Sequence, residues 1–178
     1  MALLKKIPLS IYFALASFFL LFETALFPHC KLWSFVPFLA ILFYRVSFTR
    51  ALWISFLCGL AMDLFSSQFK FGLIALTHTL TTLLLYGQKK HFFEEKTIAL
   101  SLYSVLISGF LSLFLLIFSS LSDKQITITT PVLLVNLLIM PFLEGLYTFI
   151  AFALPTSLYF TLKRSILRRQ LDNEETSS

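Results

Sequence analysis

The chain has 178 residues, of which 58% are hydrophobic and 13% charged, and its formal net charge is +5. A mean hydropathy of +0.87 excludes an ordinary soluble domain, and the composition also excludes collagen, a coiled coil and a disordered chain. The sequence therefore predicts an all-α, polytopic integral membrane protein, and its basic residues are interpreted as orientation signals rather than as a nucleic-acid surface.

Six apolar runs approach the length needed to cross about 30 Å of hydrocarbon. They occupy residues 7–27, 32–48, 51–67, 71–87, 97–119 and 131–162. Lys5 and Lys6 precede the first run, as in a secretory signal, but no small-residue cleavage site follows it, so a retained helix is predicted. The last run, with 32 residues, is interpreted as one long helix kinked at Pro141 and Pro155.

The positions of the basic residues predict the orientation of these spans. With six spans and a cytoplasmic N-terminus, 11 lysines and arginines lie inside and 3 outside, whereas splitting the last run gives 7 and 7. We therefore expect both termini in the cytoplasm and one transmembrane domain over residues 1–162. The tail, residues 163–178, is basic and then acidic. Its basic half is expected to contact anionic lipid, and the tail as a whole to be partly disordered.

Three acidic residues lie within the predicted spans, where an ionised side chain costs at least about 2.5 kcal/mol. Glu23, near an outer end, is interpreted as interfacial. Asp63, also near an outer end, is either solvated at the rim or bound to free backbone N–H groups of the following turn. Glu144 is the deepest, about 20 Å along its helix. It is either a functional carboxylate or a protonated carboxyl bonded to a backbone carbonyl.

Polar side chains also recur along two helix faces. His78 shares a face with Thr81 and Thr82, which predicts interhelical hydrogen bonds, with a proton relay as the alternative. Serines on the fifth span recur at three- and four-residue steps, which predicts a close-packed docking face inside the protein or toward a partner. This serine stripe consists of Ser101, Ser104, Ser108 and Ser112.

No sequence motif points to catalysis. The chain has no G-x-S-x-G, H-E-x-x-H, G-x-G-D or Gly-rich phosphate loop. Cys30 and Cys58 have no spacing typical of a disulfide framework or a zinc site. His91 beside Glu94 and Glu95 is more typical of a solvated turn than of a metal site. The sequence thus predicts no enzymatic activity, no cofactor and no metal.

Spans two to four carry a pattern in which a proline opens the second span. The third span ends on G-x-x-x-D-L, and the fourth begins G-L-x-x-L and runs into a basic loop. These marker residues are Pro37, Gly59, Asp63, Leu64, Gly72, Leu73, Leu76, Tyr86, Lys89 and Lys90. This segment, residues 37–92 or about a third of the chain, resembles the rod-shape-determining MreD family of small multispan proteins. Residues 155–159, before the basic terminus, are also similar, although the family usually has Asn where this chain has Phe160.

The resemblance implies a non-enzymatic scaffold subunit of the bacterial cell-elongation complex, which positions peptidoglycan synthesis in the inner membrane. Its implied partners are MreC, the actin-like MreB, and the glycosyltransferase and transpeptidase pair of that complex. The resemblance and the polar positions together nominate residues for interaction or structure, namely Gly59, Asp63, Gly72, His78, Ser104, Ser108 and Glu144.

A carrier is the rival interpretation. The substrate-binding subunits of energy-coupling-factor vitamin transporters are also small six-span proteins, but they typically carry an A-x-x-x-A motif on the first helix. Here the alanines of that helix are Ala14, Ala16 and Ala25, with no pair four residues apart. A small ion-coupled carrier that uses Asp63 and Glu144 is a further alternative.

Overall fold

The computed structural model describes residues 8–26, 33–66, 70–89, 97–121 and 133–150, and every regular element in these ranges is helical. The prediction of an all-α fold is therefore confirmed for this part of the chain. The helices are α1 Leu9–Leu26, α2 Val36–Arg45, α3 Phe48–Phe65, α4 Leu73–Leu85, α5 Thr97–Leu121 and α6 Met140–Thr148. A 3₁₀ turn, Tyr86–Gln88, follows α4, and a π-helical stretch, Val135–Ile139, precedes α6.

Two of the described helices are long and apolar enough to cross a membrane, namely Phe48–Phe65 and Ala99–Leu121. The exterior of the bundle agrees with membrane association, because large apolar side chains such as Trp53, Leu57 and Phe142 are exposed. The count of six spans, the position of both termini and the kink of the last helix stay predictions.

Helix α2 is shorter than its apolar run suggests. It has ten residues, about 15 Å of rise, whereas the run at 32–48 predicts a full span. It packs against α1, α3, α5 and α6, and its first eight residues are all buried. A helix that is apolar on every side belongs in an interior, so the hydrophobicity here reflects protein contacts rather than lipid exposure. Pro37, in the first turn, needs no hydrogen-bond acceptor because it has no N–H.

Helices α1, α3, α5 and α6 surround α2. Helices α3 and α4 form a tightly packed hairpin, and α5 contacts α2, α4 and α6. Pro141 lies two residues after the end of the π-helical stretch. Proline removes one backbone donor, and a π turn is a local adjustment that re-pairs neighbouring carbonyls. Pro155 and the rest of the predicted long span lie outside the described residues.

Candidate functional site

Asp63 on α3 caps the beginning of α4. The side chain is 5% exposed, and its two oxygens accept three backbone hydrogen bonds. Oδ2 accepts from the N–H groups of Gly72 at 3.1 Å and Ala75 at 3.0 Å, and Oδ1 accepts from Ile74 at 3.1 Å. These N–H groups have no acceptor within their own helix. Of the two interpretations of Asp63, the structure shows the turn contact and not solvation at the rim.

Gly72 explains why this cap comes from another helix. It is the N-cap residue of α4 and has a φ of 90°, a left-handed conformation that only glycine adopts without strain. Capping side chains such as Ser or Asp normally sit at this position. Because glycine has no side chain to offer, the carboxylate of Asp63 takes that role.

Gly59 brings the two helices close enough for this contact. It lies one turn before Asp63 on the same face of α3. A Cβ placed on Gly59 would lie 2.5 Å from the Cα of Ala75 and 3.0 Å from the carbonyl oxygen of Ile74. The first turn of α4 therefore rests on the backbone of α3, and Gly59, Asp63 and Gly72 form one structural unit, which we call the capped hairpin.

Polar contacts continue along the capped hairpin. Ser55 Oγ of α3 donates to the carbonyl oxygen of His78 at 3.2 Å, and Thr82 Oγ1 lies 2.6 Å from Ser55 Oγ. The prediction of interhelical hydrogen bonds on this face is confirmed for Thr82. The imidazole of His78 instead bonds within its own helix, with Nδ1 2.9 Å from the carbonyl oxygen of Ile74.

Glu144 of α6 contacts the chain just before α2. It is fully buried, and its Oε1 accepts a hydrogen bond from the backbone N–H of Trp33. An ionised carboxylate and the carbonyl oxygen of a protonated carboxyl both accept from an N–H, so the two interpretations of Glu144 stay predictions. The Trp33 indole donates to Ser112 Oγ at 3.2 Å, and its ring centroid lies 5.5 Å from that of His78. Trp33 thus brings Glu144, His78 and Ser112 together.

A cation holds the opposite end of α2. Lys89 Nζ donates to the carbonyl oxygen of Phe43 at 2.9 Å and lies 3.8 Å from the centroid of the Tyr86 ring. The Tyr86 hydroxyl donates to the carbonyl oxygen of Val46 at 2.6 Å. Lys89 therefore places a positive charge at the carbonyl end of α2, where it complements the helix dipole.

The serine stripe lies inside the protein. Ser104 and Ser108 are fully buried and Ser112 is 5% exposed. Of the two predicted locations for this docking face, inside the protein or toward a partner, the structure shows the first. Ser104 Oγ donates to the carbonyl oxygen of Leu100 at 3.0 Å. Ser101 lies toward α6, where a Cβ on Gly145 would contact Val105 and approach the Ser101 carbonyl.

Replacing Ser104 and Ser108 together with leucine is expected to destabilise the fold, because added bulk in a close-packed interior costs about 1–3 kcal/mol per site. The thermal unfolding midpoint in detergent measures this effect. Exchanging Leu102 and Leu106 for isoleucine should change it little, as should Ser120→Leu, since Ser120 is an exposed serine of the same helix. Equal losses in the buried and exposed variants would show that the serine stripe is not a packing face.

Several residues of this region carry no distinctive sequence signal. Trp33, at the outer end of a predicted span, has the position of an interfacial tryptophan, yet it is 5% exposed. Lys89 is expected in a cytoplasmic loop, and its carbonyl partner is 46 residues away in the chain. Ser55 has no polar neighbour at helical spacing. The proximity of these residues depends on how the helices pack.

Other predicted positions lie outside the described side chains. They are Glu23, His91, Glu94, Glu95 and the tail 163–178. Within the described ranges, no group of three His, Cys, Asp or Glu residues could hold a metal ion.

No protein-family model, curated protein or solved structure matches the chain. The resemblance of residues 37–92 therefore rests on the residues of this sequence.

Proposed function

We propose that this protein is a non-enzymatic, multi-pass scaffold subunit of the bacterial cell-elongation complex in the inner membrane. In this proposal it holds MreC, MreB and the glycosyltransferase and transpeptidase pair near the site of peptidoglycan synthesis. Contacts with partners would involve its helix surfaces and cytoplasmic segments, and its basic tail would contact anionic lipid.

The observation that carries the proposal is the structural use of Gly59, Asp63 and Gly72. These residues belong to the pattern that resembles the MreD family, and in the structure they form the capped hairpin. Pro37, another marker residue, lies in the first turn of the buried α2. A shared pattern that specifies how helices pack supports a scaffold, since a scaffold needs a defined surface and no reacting groups.

The proposed topology has six spans with both termini in the cytoplasm. Reporters fused after Lys90 and after Arg169 are expected to show a cytoplasmic location, and one fused after Lys124 an external location. The reason is that this orientation places 11 lysines and arginines in the cytoplasm and 3 outside. An external reading after Arg169 would contradict the six-span arrangement and divide the last apolar run into two spans.

Co-purification tests the proposed function. The tagged full chain, extracted in mild detergent from its native membrane, is expected to retain MreC and other elongation proteins. A Gly59→Leu variant should lose them, whereas Gly87→Ala should keep them, because a Cβ on Gly87 would meet no other described residue within 4 Å beyond its chain neighbours. Recovery of ATPase subunits in place of elongation proteins would contradict the scaffold and favour the vitamin-transporter alternative.

The environment of Glu144 favours an ion-coupled carrier as a second candidate. Transporters often place ion and substrate sites where a short helix begins inside the bundle. Here α2 has ten residues, and the chain just before it bonds a fully buried carboxylate. A carrier would require Glu144 to change its protonation state, whereas a scaffold needs only its acceptor oxygen.

Glu144→Gln separates these two functions. In a scaffold the glutamine carbonyl can still accept the Trp33 N–H, so cell-shape complementation and membrane levels should stay close to wild type. Glu144→Leu is the control, and should reduce stability because an unpaired buried N–H costs about 1–3 kcal/mol. A glutamine variant that is present at normal levels but inactive would support the carrier.

A further inference from the structure

Three buried polar atoms of α4 and α5 have no hydrogen-bond partner among the residues that the structure describes. They are Nε2 of His78, Oγ1 of Thr81 and Oγ of Ser108. His78 and Ser108 are fully buried and Thr81 is 1% exposed. Leaving a buried polar atom unpaired costs about 1–3 kcal/mol, so three such atoms in one interface require an explanation.

Contacts at both ends of the α4–α5 interface place these atoms near one another. The Tyr103 hydroxyl of α5 donates to the Leu85 carbonyl of α4 at 2.6 Å. Toward the other end, Trp33 contacts both Ser112 of α5 and His78 of α4. The helices are therefore antiparallel in this interface.

The register that follows from these contacts sets Ser108 opposite Thr81. His78 lies three residues before Thr81, on the same face of α4 and about 4.5 Å along its axis. The three atoms thus occupy adjacent levels of one interface.

The hydrogen bonds of His78 determine what can bind there. Nδ1 faces the carbonyl oxygen of Ile74, so Nδ1 carries the proton and Nε2 offers a lone pair. Nearby donors are already used: the Trp33 indole bonds Ser112, and the Thr77 hydroxyl bonds the Ile74 carbonyl. Among the described residues Nε2 itself receives no hydrogen bond.

We propose that His78, Thr81 and Ser108 form a binding site for internal water between α4 and α5. One water would donate to His78 Nε2 and exchange hydrogen bonds with the hydroxyls of Thr81 and Ser108. Internal waters typically make about three hydrogen bonds to buried groups that lack other partners, which is the number of atoms that this interface presents. The site is independent of whether the protein is a scaffold or a carrier.

Solid-state NMR of the full chain in lipid bilayers tests the water site. Magnetisation is transferred from water protons to labelled His, Thr and Ser side chains. We expect early transfer to His78, Thr81 and Ser108. Thr77 and Thr148 serve as controls, because they are equally buried but their hydroxyls already donate to helix carbonyls. The controls should remain silent at the same mixing time.

Two variants check that the three residues act together. Thr81→Val and Ser108→Ala remove one hydroxyl each, and each should reduce water transfer to His78, whereas Thr77→Val should not. The proposal is overturned if wild-type Thr81 and Ser108 are as silent as Thr77, a comparison that needs no variant to fold. It is equally overturned if transfer to His78 is unchanged when both hydroxyls are removed.

Discussion

Asp63→Leu is expected to abolish the stable fold of the capped hairpin. The substitution removes the acceptors of the Gly72, Ile74 and Ala75 N–H groups at once. Each orphaned N–H costs about 1–3 kcal/mol when buried, and a nonpolar surrounding offers little water in compensation. The combined loss is a large fraction of the stability of a typical domain, so little of the variant should reach the membrane in folded form.

Asp63→Asn distinguishes a capping role from a titrating one. The sequence alone predicts a mild effect, because asparagine keeps an acceptor oxygen, but the structure shows both carboxylate oxygens in use. The asparagine NH₂ group would face at least one backbone N–H, so an intermediate loss of about 1–3 kcal/mol is expected. A fully stable but inactive asparagine variant would contradict the capping role and would support the ion-coupled carrier as the function of this protein.

Thermal unfolding measured with a thiol-reactive dye is suited to both variants. Cys58 lies on α3 and is 1% exposed, so it reacts only when the hairpin opens. With Cys30 replaced by serine, the signal comes from Cys58 alone. The expected order of midpoints is wild type, then Asp63→Asn, then Asp63→Leu.

Gly59→Ala is expected to produce the second large effect. The new Cβ would lie 2.5 Å from the Cα of Ala75, and because the obstacle is backbone, no side-chain rotation relieves it. Separating the helices would also stretch the Asp63 bonds to Ile74 and Ala75. We expect a loss of at least about 1–3 kcal/mol, the usual range for overpacking, and a still larger loss for Gly59→Leu.

Two other glycines provide matched controls in the same assay. Gly87→Ala adds a Cβ that meets nothing within 4 Å in the described ranges beyond its chain neighbours, so its midpoint should stay near wild type. The Cβ added by Gly72→Ala also has no close contact in the described ranges. However, the φ of 90° at this position strains any residue with a Cβ by about 1–2 kcal/mol. If Gly59→Ala proves as mild as Gly87→Ala, the close approach of α3 and α4 is not required.

Positions close together in the chain were the most predictable part of the site. Asp63 and the turn to Gly72 lie within ten residues, so hydrogen bonds from Asp63 to free N–H groups of that turn were one of its two interpretations. His78, Thr81 and Thr82 share a helix face by spacing alone, which indicated interhelical hydrogen bonds; that Ser55 is the partner of Thr82 came from the structure. In each case a helix period or a short turn limits where the side chain can lie.

The sequence by itself determined the all-helical class of the described chain and the approximate positions of its helices, because apolar run length and turn residues act locally. It also identified Gly59, Asp63 and Gly72 as a related set. Only the tertiary structure decided that α2 is a short buried helix, that Trp33 brings Glu144 and His78 together, and that Lys89 holds the end of α2. These contacts join residues 45 to 111 positions apart. These contacts depend on how the helices pack against one another, and no periodicity in the sequence encodes that packing.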